Sequence, residues 1–193
     1  EILNRATEKA SGEYIIFTDG DAIPRKDLVE THVRHSSPGW FLSGCLTRLP
    51  AAVSRKVTKD IILSGELFSP RWLVKNGLIH QRVFRMMMPR RLADILDLTK
   101  PRRLRFHGAN CSAWKTDLLK VNGYDTRMEW GSLDYECGLR LHNAGLKCRL
   151  VVHSAFCLHL DHGRPYARPE SIARNLEIIA ETRRHKKTWT DYG

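Results

Sequence analysis

Acidic residues are scarce in this chain, paired cysteines are absent, and no apolar run is long. Each lack removes a class of function. Only 21 Asp and Glu stand against 32 Lys and Arg in 193 residues, a formal charge of +11. Such a balance favours anionic partners: nucleic acid, phosphorylated small molecules or an acidic membrane surface. Nucleic acid is set aside, because the sequence has no zinc finger, no RNP-like pattern and no basic recognition helix. The five cysteines, Cys45, Cys111, Cys137, Cys148 and Cys157, are odd in number, widely spaced and without a CxxC pair. That argues against a zinc site or a disulfide framework and fits reduced thiols in a cytosolic setting better. No stretch has the apolar length of a membrane span, and no signal peptide is visible. The expected location is cytoplasmic, with peripheral contact at the inner face of the membrane as an option. There are no internal repeats, and the length suits a single domain with a substantial core.

The stretch from Glu13 to Pro24 is where chemistry first shows. Tyr14 to Phe17 is an apolar run that predicts a buried strand. Asp19 and Asp21 follow at i and i+2, with only Gly20 between them. A strand ending in two acids puts them at the carboxyl edge of a sheet, where open α/β sheets bind ligands. Two close carboxylates repel, so a cation belongs between them. Oxygen ligands beside a glycine suit Mg²⁺ or Mn²⁺ shared with substrate phosphates. The competing reading is a plain acidic turn.

Around that stretch the pattern predicts helices over residues 1–11, 24–35 (Leu28, Val29, His32 and Val33 inward), 54–64, 112–121, a short one after Ser132, and 169–187. In the last of these, Ile172, Leu176, Ile179 and Ala180 face inward. Strands are expected at 40–46, 104–106 and 147–153, with a further strand or loop at 156–162. His32 and His35 share one helix face; ordinary histidines are the simpler account, metal ligation the other. From Arg71 to Arg105 ten Lys or Arg, including Arg85, Lys100, Arg102, Arg103 and Arg105, face two acids, Asp94 and Asp97, with apolar residues such as Trp72, Ile79 and Phe84 interleaved. This segment could lie on an anionic membrane, cradle an anionic acceptor, or cover the core with a solvated face. Ser132 is placed as an N-cap, which sets Asp134 in a first helical turn. Glu136 and Arg140 are spaced to pair. His159 and His162 flank Asp161.

Taken in order, Asp19-Gly-Asp21, Gly108-Ala-Asn110, Gly123-Tyr-Asp125, Trp130-Gly-Ser-Leu-Asp134 and His159-Leu-Asp-His162 resemble the motif series of family 2 glycosyltransferases of the GT-A fold. The fourth block, Trp130 to Asp134, is also similar to the W-G-G-E-D motif of GT-A galactosyltransferases, matching it at Trp130, Gly131 and Asp134. The resemblance covers most of the chain and is interrupted at 50–103. It implies an α/β fold, a Rossmann-like sheet with flanking helices, as one domain over 1–193. It also implies that the strands gripping the nucleotide base lie upstream, so that this is a C-terminal catalytic portion in which 66–106 forms a variable basic acceptor side. By the same likeness, Asp19 and Asp21, with His159 or His162, hold Mn²⁺ or Mg²⁺ on the diphosphate of a nucleotide-sugar donor, a UDP-sugar leading. Asp134 would be the base that deprotonates an acceptor hydroxyl in an inverting displacement. Gly108 would let backbone approach a sugar, Asn110 would donate to a hydroxyl or merely cap its turn, and Arg164 would meet a phosphate. Expected activity is hexosyl or N-acetylhexosaminyl transfer to a glycan or lipid-linked acceptor in bacterial surface polysaccharide or glycolipid synthesis. Leu133 stands where the family has glutamate, which opens two alternatives: a degenerate GT-A module that binds without transfer, or a basic membrane-surface adaptor.

Overall fold

The computed structural model describes residues 1–78, 81–101, 103–163 and 165–193; the side chains of Gln81 and Arg82 also fall outside the description. Ile79, Arg102 and Arg164 are therefore outside the described residues. In chain order the elements are α1 (Ile2–Lys9), β1 (Tyr14–Phe17), β2 (Ala22–Pro24), α2 (Leu28–His35), β3 (Trp40–Arg48), α3 (Ala51–Ser54), α4 (Lys59–Leu63), α5 (Pro70–Lys75), α6 (Gln81–Arg85), α7 (Arg90–Thr99), β4 (Cys111–Trp114), α8 (Lys115–Lys120), α9 (Leu133–Asn143), β5 (Lys147–His159) and α10 (Pro169–Arg184), with a 3₁₀ turn at Glu66–Phe68. One mixed sheet runs in the order β1-β4-β3-β5-β2, with only β3 and β5 parallel.

The sheet must curl. Strands β1 and β2 are its two edges, about 19 Å apart if four inter-strand spacings lay flat. Yet only Thr18 to Asp21 connects them, and part of that link is a turn closed by Ala22 N–H donating to the Asp19 carbonyl at 3.1 Å. Five residue steps reach at most about 17 Å even when extended. The edges therefore bend toward each other across one end of the sheet, and the link that bridges them is the Asp19-Gly20-Asp21 stretch.

Two apolar layers sandwich the sheet. Phe17, Phe41, Cys111 and Ala113 pack with Leu118 of α8 and Cys137 and Leu141 of α9. On the other side Leu28 of α2 meets Leu42, Val151 and Cys157. Phe106 fills the first layer from a loop, with edge-on contacts to Phe41 at 5.5 Å and Phe17 at 6.2 Å; the strand expected at 104–106 does not form. A third cluster beyond the end of β5 gathers Leu158 with Leu49, Leu67, Leu73 and Val83 from the helical segment. All five cysteines are buried, and no disulfide joins them.

Several expected elements change, each for a visible reason. Pro24 ends an edge strand, where a missing N–H is tolerated, and α2 starts only at Leu28. Of residues 54–64, Ser54 ends α3 and only Lys59–Leu63 forms a helix of its own, α4, which the Thr58 hydroxyl caps by accepting from Ile61 N–H at 3.3 Å. Residues 112–121 split into β4 and α8, because Cys111–Trp114 pairs with both β1 and β3. The two segments expected at 147–162 are one strand with a bulge, where register jumps from Gly44–Val151 to Cys45–Phe156. The Asp97 carboxylate of α7 holds that bulge. It accepts from the backbone N–H groups of His153 and Ser154, from the His153 ring and from the Ser154 hydroxyl at 2.5–3.0 Å.

Helix phases shift where polar anchors decide them. On α2 the buried residues are Leu28, Thr31, His32 and His35, while Val29 and Val33 face solvent. On α10 the buried set is Asn175, Ile178, Ile179 and Thr182, while Ile172, Leu176 and Ala180 lie outward. The expected Glu136–Arg140 pair forms at 2.8 Å and is almost wholly buried. Arg140 also donates to the carbonyls of Val121 and Gly123, and Thr182 donates to Glu136, so the pair joins α9 to the 121–123 turn and to α10. Ion pairing with further hydrogen bonds to the guanidinium and the carboxylate is what makes such burial tolerable.

Candidate active site

The pairing of β2 with β5 builds the centre of the site. Ala22 lies opposite His159, and Leu160 N–H donates to the Asp21 carbonyl at 3.0 Å. Main-chain bonds thus set Asp21 beside His159, and His162 folds back over it. The His159 Nε2 is 3.4 Å from one Asp21 oxygen, and the His162 Nε2 is 2.7 Å from the other. The two rings stack at 5.3 Å. Ligand atoms of all three residues lie within 4.8 Å of one another.

The outer nitrogens decide what this cluster can hold. His159 Nδ1 is 2.6 Å from the Leu160 carbonyl, and His162 Nδ1 is 2.8 Å from the Gly163 carbonyl. A carbonyl only accepts, so each Nδ1 carries the proton. In the neutral imidazoles both Nε2 lone pairs then face a carboxylate, which is acceptor against acceptor. A cation, either a proton on the rings or a metal ion, resolves that conflict. Backbone-anchored Nδ1–H with a free Nε2 is the usual arrangement of a metal-ligating histidine. Two imidazoles and a carboxylate suit a divalent first-row ion such as Mn²⁺.

These residues open onto a cleft of about 910 Å³ that also includes Asp19, Gly108 and Asp134. Asp19 keeps solvent contact at the rim and is not among the three clustered ligands. Crowding by protein atoms, then the neighbouring Asp21 charge, push its carboxyl above the usual range, against the pull of His159 and His107. Asp134 stands in the first turn of α9. Its Oδ2 accepts from Gly108 N–H at 2.7 Å and its Oδ1 from Tyr135 N–H at 2.8 Å. Each oxygen keeps lone-pair capacity toward the cleft. Gly108 contributes this N–H; a methyl group there would make only ordinary contacts with Asp134, at 3.6 Å and beyond.

Ser132 occupies the N-cap position but caps nothing. Its φ is 62°, and its side chain accepts no helix N–H. The loop before it is held from α10 instead, where Asn175 donates toward the carbonyls of Glu129, Trp130 and Gly131 at 2.7–3.3 Å.

Asn110 is not at the cleft. It is fully buried, and its amide donates to the carbonyls of Cys45 at 2.9 Å and Ala155 at 3.2 Å. Its Oδ1 faces His32 Nε2 at 2.8 Å, and His32 Nδ1 faces the Ser112 hydroxyl at 2.6 Å, itself 2.8 Å from the Tyr14 hydroxyl. With His32 neutral, donation can run in one direction along this line, from Tyr14 to Ser112 to His32 to Asn110 to two carbonyls. Burial accordingly lowers the His32 pKa to about 4 and raises that of Tyr14 to about 12. Asn110 is therefore a tie across the sheet and not a sugar ligand. Gly44 makes room for it, since a side chain there would collide with the Asn110 amide. His35 bonds Asp94 of α7 at 2.9 Å, so both α2 histidines are structural.

Three groups on the cleft wall carried no motif signal: Arg48, His107 and Tyr166. His107 lies under the influence of both Asp134 and Asp19, yet burial, with help from Arg105 and Arg48, lowers its pKa. Its Nδ1 is buried and finds no hydrogen-bond partner among the described residues. Tyr166 packs edge-on to Trp130 at 5.7 Å and tilts against His162 at 6.5 Å.

No family model matches the sequence, and no curated protein matches it. Solved structures do match. A crystal structure of GalNAc-T7 with UDP, GalNAc and Mn²⁺ covers 98% of this chain at 13% identity with a TM-score of 0.54. This chain spans 37% of the length of that one. At that identity the likeness establishes the fold, and the fold is that of the GT-A glycosyltransferases.

Proposed function

We propose that this chain carries the transfer site of a metal-dependent glycosyltransferase that uses a nucleotide-diphospho-sugar. One observation carries the reading: Asp21, His159 and His162 converge with both imidazole Nε2 atoms aimed at one carboxylate, in a cleft that also holds Asp19 and Asp134. Asp21 and the two histidines would hold the divalent ion, with Asp19 facing it from the rim. When bound, that ion supplies Lewis-acid stabilisation of a diphosphate leaving group. Asp134, fixed by two backbone N–H groups, takes the proton of the attacking acceptor hydroxyl. A base on the acceptor side fits a single displacement with inversion at the anomeric carbon. Gly108 and the Trp130–Tyr166 pair offer backbone and aromatic surface to a sugar. The GalNAc-T7 structure, with UDP and Mn²⁺, supports a UDP-sugar as donor and a glycan as acceptor.

The test is calorimetric titration of UDP and GDP with and without Mn²⁺, followed by transfer assays with UDP-sugars. Metal-dependent binding is expected, lost in Asp21→Asn. Asp134→Asn should keep that binding and lower transfer at least 100-fold, in the range of general-base catalysis. Unchanged turnover in Asp134→Asn would remove it as base, and nucleotide binding indifferent to metal would remove the reading.

A second reading, binding without transfer, is favoured by the two hydrogen bonds that already occupy Asp134. Metal-dependent nucleotide binding with no turnover in the wild type would select it.

A further inference from the structure

A second cavity, about 510 Å³, lies beside the cleft and shares Leu46 and Arg105 with it. Its composition is one-sided. Arg85 of α6 and Lys100, Arg103 and Arg105 of the loop after α7 line it, and among the described residues no carboxylate does. Among the described residues none of these four side chains makes an ion pair or a hydrogen bond. The rest of the wall is apolar, from Leu46 of β3 through Leu104 to Leu150 and Val152 of β5. Four cations around one concavity repel one another, and an anion within it relieves that repulsion. Low-dielectric walls strengthen the attraction. The main cleft differs, since its lining carries Asp19, Asp21 and Asp134.

We propose that this cavity is an anion subsite that takes the phosphate of a phosphate-bearing ligand, with room on its apolar wall for a hydrocarbon chain. Its place beside the cleft makes it the seat of the acceptor's phosphate, which leaves the acceptor hydroxyl on the Asp134 side. That assignment to the acceptor rests on the glycosyl-transfer reading. The anion site itself rests only on the residues named.

Calorimetry in EDTA tests the site apart from any metal. The probes are inorganic pyrophosphate, for a soluble phosphate ligand, and decyl phosphate below its micellar concentration, for a lipid-borne one. Wild type should bind at least one of them. The double variant Lys100→Gln/Arg103→Gln, in exposed or half-exposed loop positions, should bind at least tenfold more weakly with an unchanged circular dichroism spectrum. Arg85→Gln, on a separate element, should weaken binding in the same direction. Asp21→Asn should bind as wild type does. Tighter binding of decyl phosphate would assign the site to a lipid-linked phosphate, and equal or tighter binding of pyrophosphate to a soluble one. Failure of both probes to bind, or binding untouched in both cavity variants, would overturn the proposal. If UDP and Mn²⁺ still bound in that case, the transfer reading would stand without the subsite. If the probes bound while UDP and Mn²⁺ did not, the subsite would stand without the transfer reading.

Discussion

Ser132 holds a left-handed backbone conformation, φ 62°, two residues before Asp134. A side chain there costs about 1 kcal/mol relative to glycine, and no cap bond from the hydroxyl offsets it. Ser132→Gly is therefore expected to raise stability by roughly 0.5–1 kcal/mol, with the loss of unfolded-chain restriction subtracting part of the gain. A urea midpoint that fell in the variant would show that the serine does something else. At this scale the sequence made Asp21, Asp134, His159 and His162 visible as candidates, because acids and imidazoles in motif order are conspicuous. It hid His107 and Tyr166, which gain meaning only when separate loops meet on the cleft wall. It misdirected on Asn110, whose turn position gave no sign that β3 and β5 would close over it.

The elements are tied by buried polar lines as much as by apolar packing, and these lines explain where periodicity misled. Counting apolar residues puts Val29 and Val33 inside α2. The structure instead buries Thr31, His32 and His35, and the His32 imidazole joins α2 to Ser112 of β4 and to Asn110 just before it. Likewise α10 turns Asn175 and Thr182 inward to hold the 129–131 loop and Glu136. The His32 line has a pH consequence. Its folded pKa, about 4, lies below the ordinary value near 6.5. Between those two values the unfolded chain binds more protons, so stability rises with pH across that window. The contribution of His32 is complete above about pH 6.5 and is lost as pH falls toward 4, a change of about 3 kcal/mol if the full shift is expressed. Urea midpoints at pH 7 and pH 4.5 measure it. A His32→Gln variant should show a shallower dependence, and an equal slope in both proteins would assign the effect to other groups.

For the whole molecule, the curl of the sheet matters most. It brings the edge strands β1 and β2 within reach of a four-residue link, and that link carries Asp19 and Asp21. The sequence announced a strand ending in two acids. It did not announce that the two acids would part company, Asp21 toward His159 and His162 and Asp19 toward the rim, because that depends on antiparallel pairing of Ala22 with His159 across 137 positions. The fold class was legible from the motif order, and the solved structure of GalNAc-T7 shares it over nearly the whole of this chain. The helical segment from 51 to 99 was not legible in detail: short apolar runs among basic residues carry no clear period, and their arrangement around Leu158 and Asp97 is tertiary.

Electron paramagnetic resonance of Mn²⁺ tests the central claim most directly, because the free aquo ion loses its six-line signal on binding. Titrating the wild-type chain at pH 7.5 should remove one equivalent of signal, alone or with UDP present. His159→Ala and His162→Ala should each weaken that binding at least tenfold, as should Asp21→Asn, while Asp134→Asn should leave it unchanged. A wild-type chain that leaves the signal intact with UDP present, or histidine variants that bind as tightly as wild type, would contradict the account and leave the cluster as a protonated structural contact.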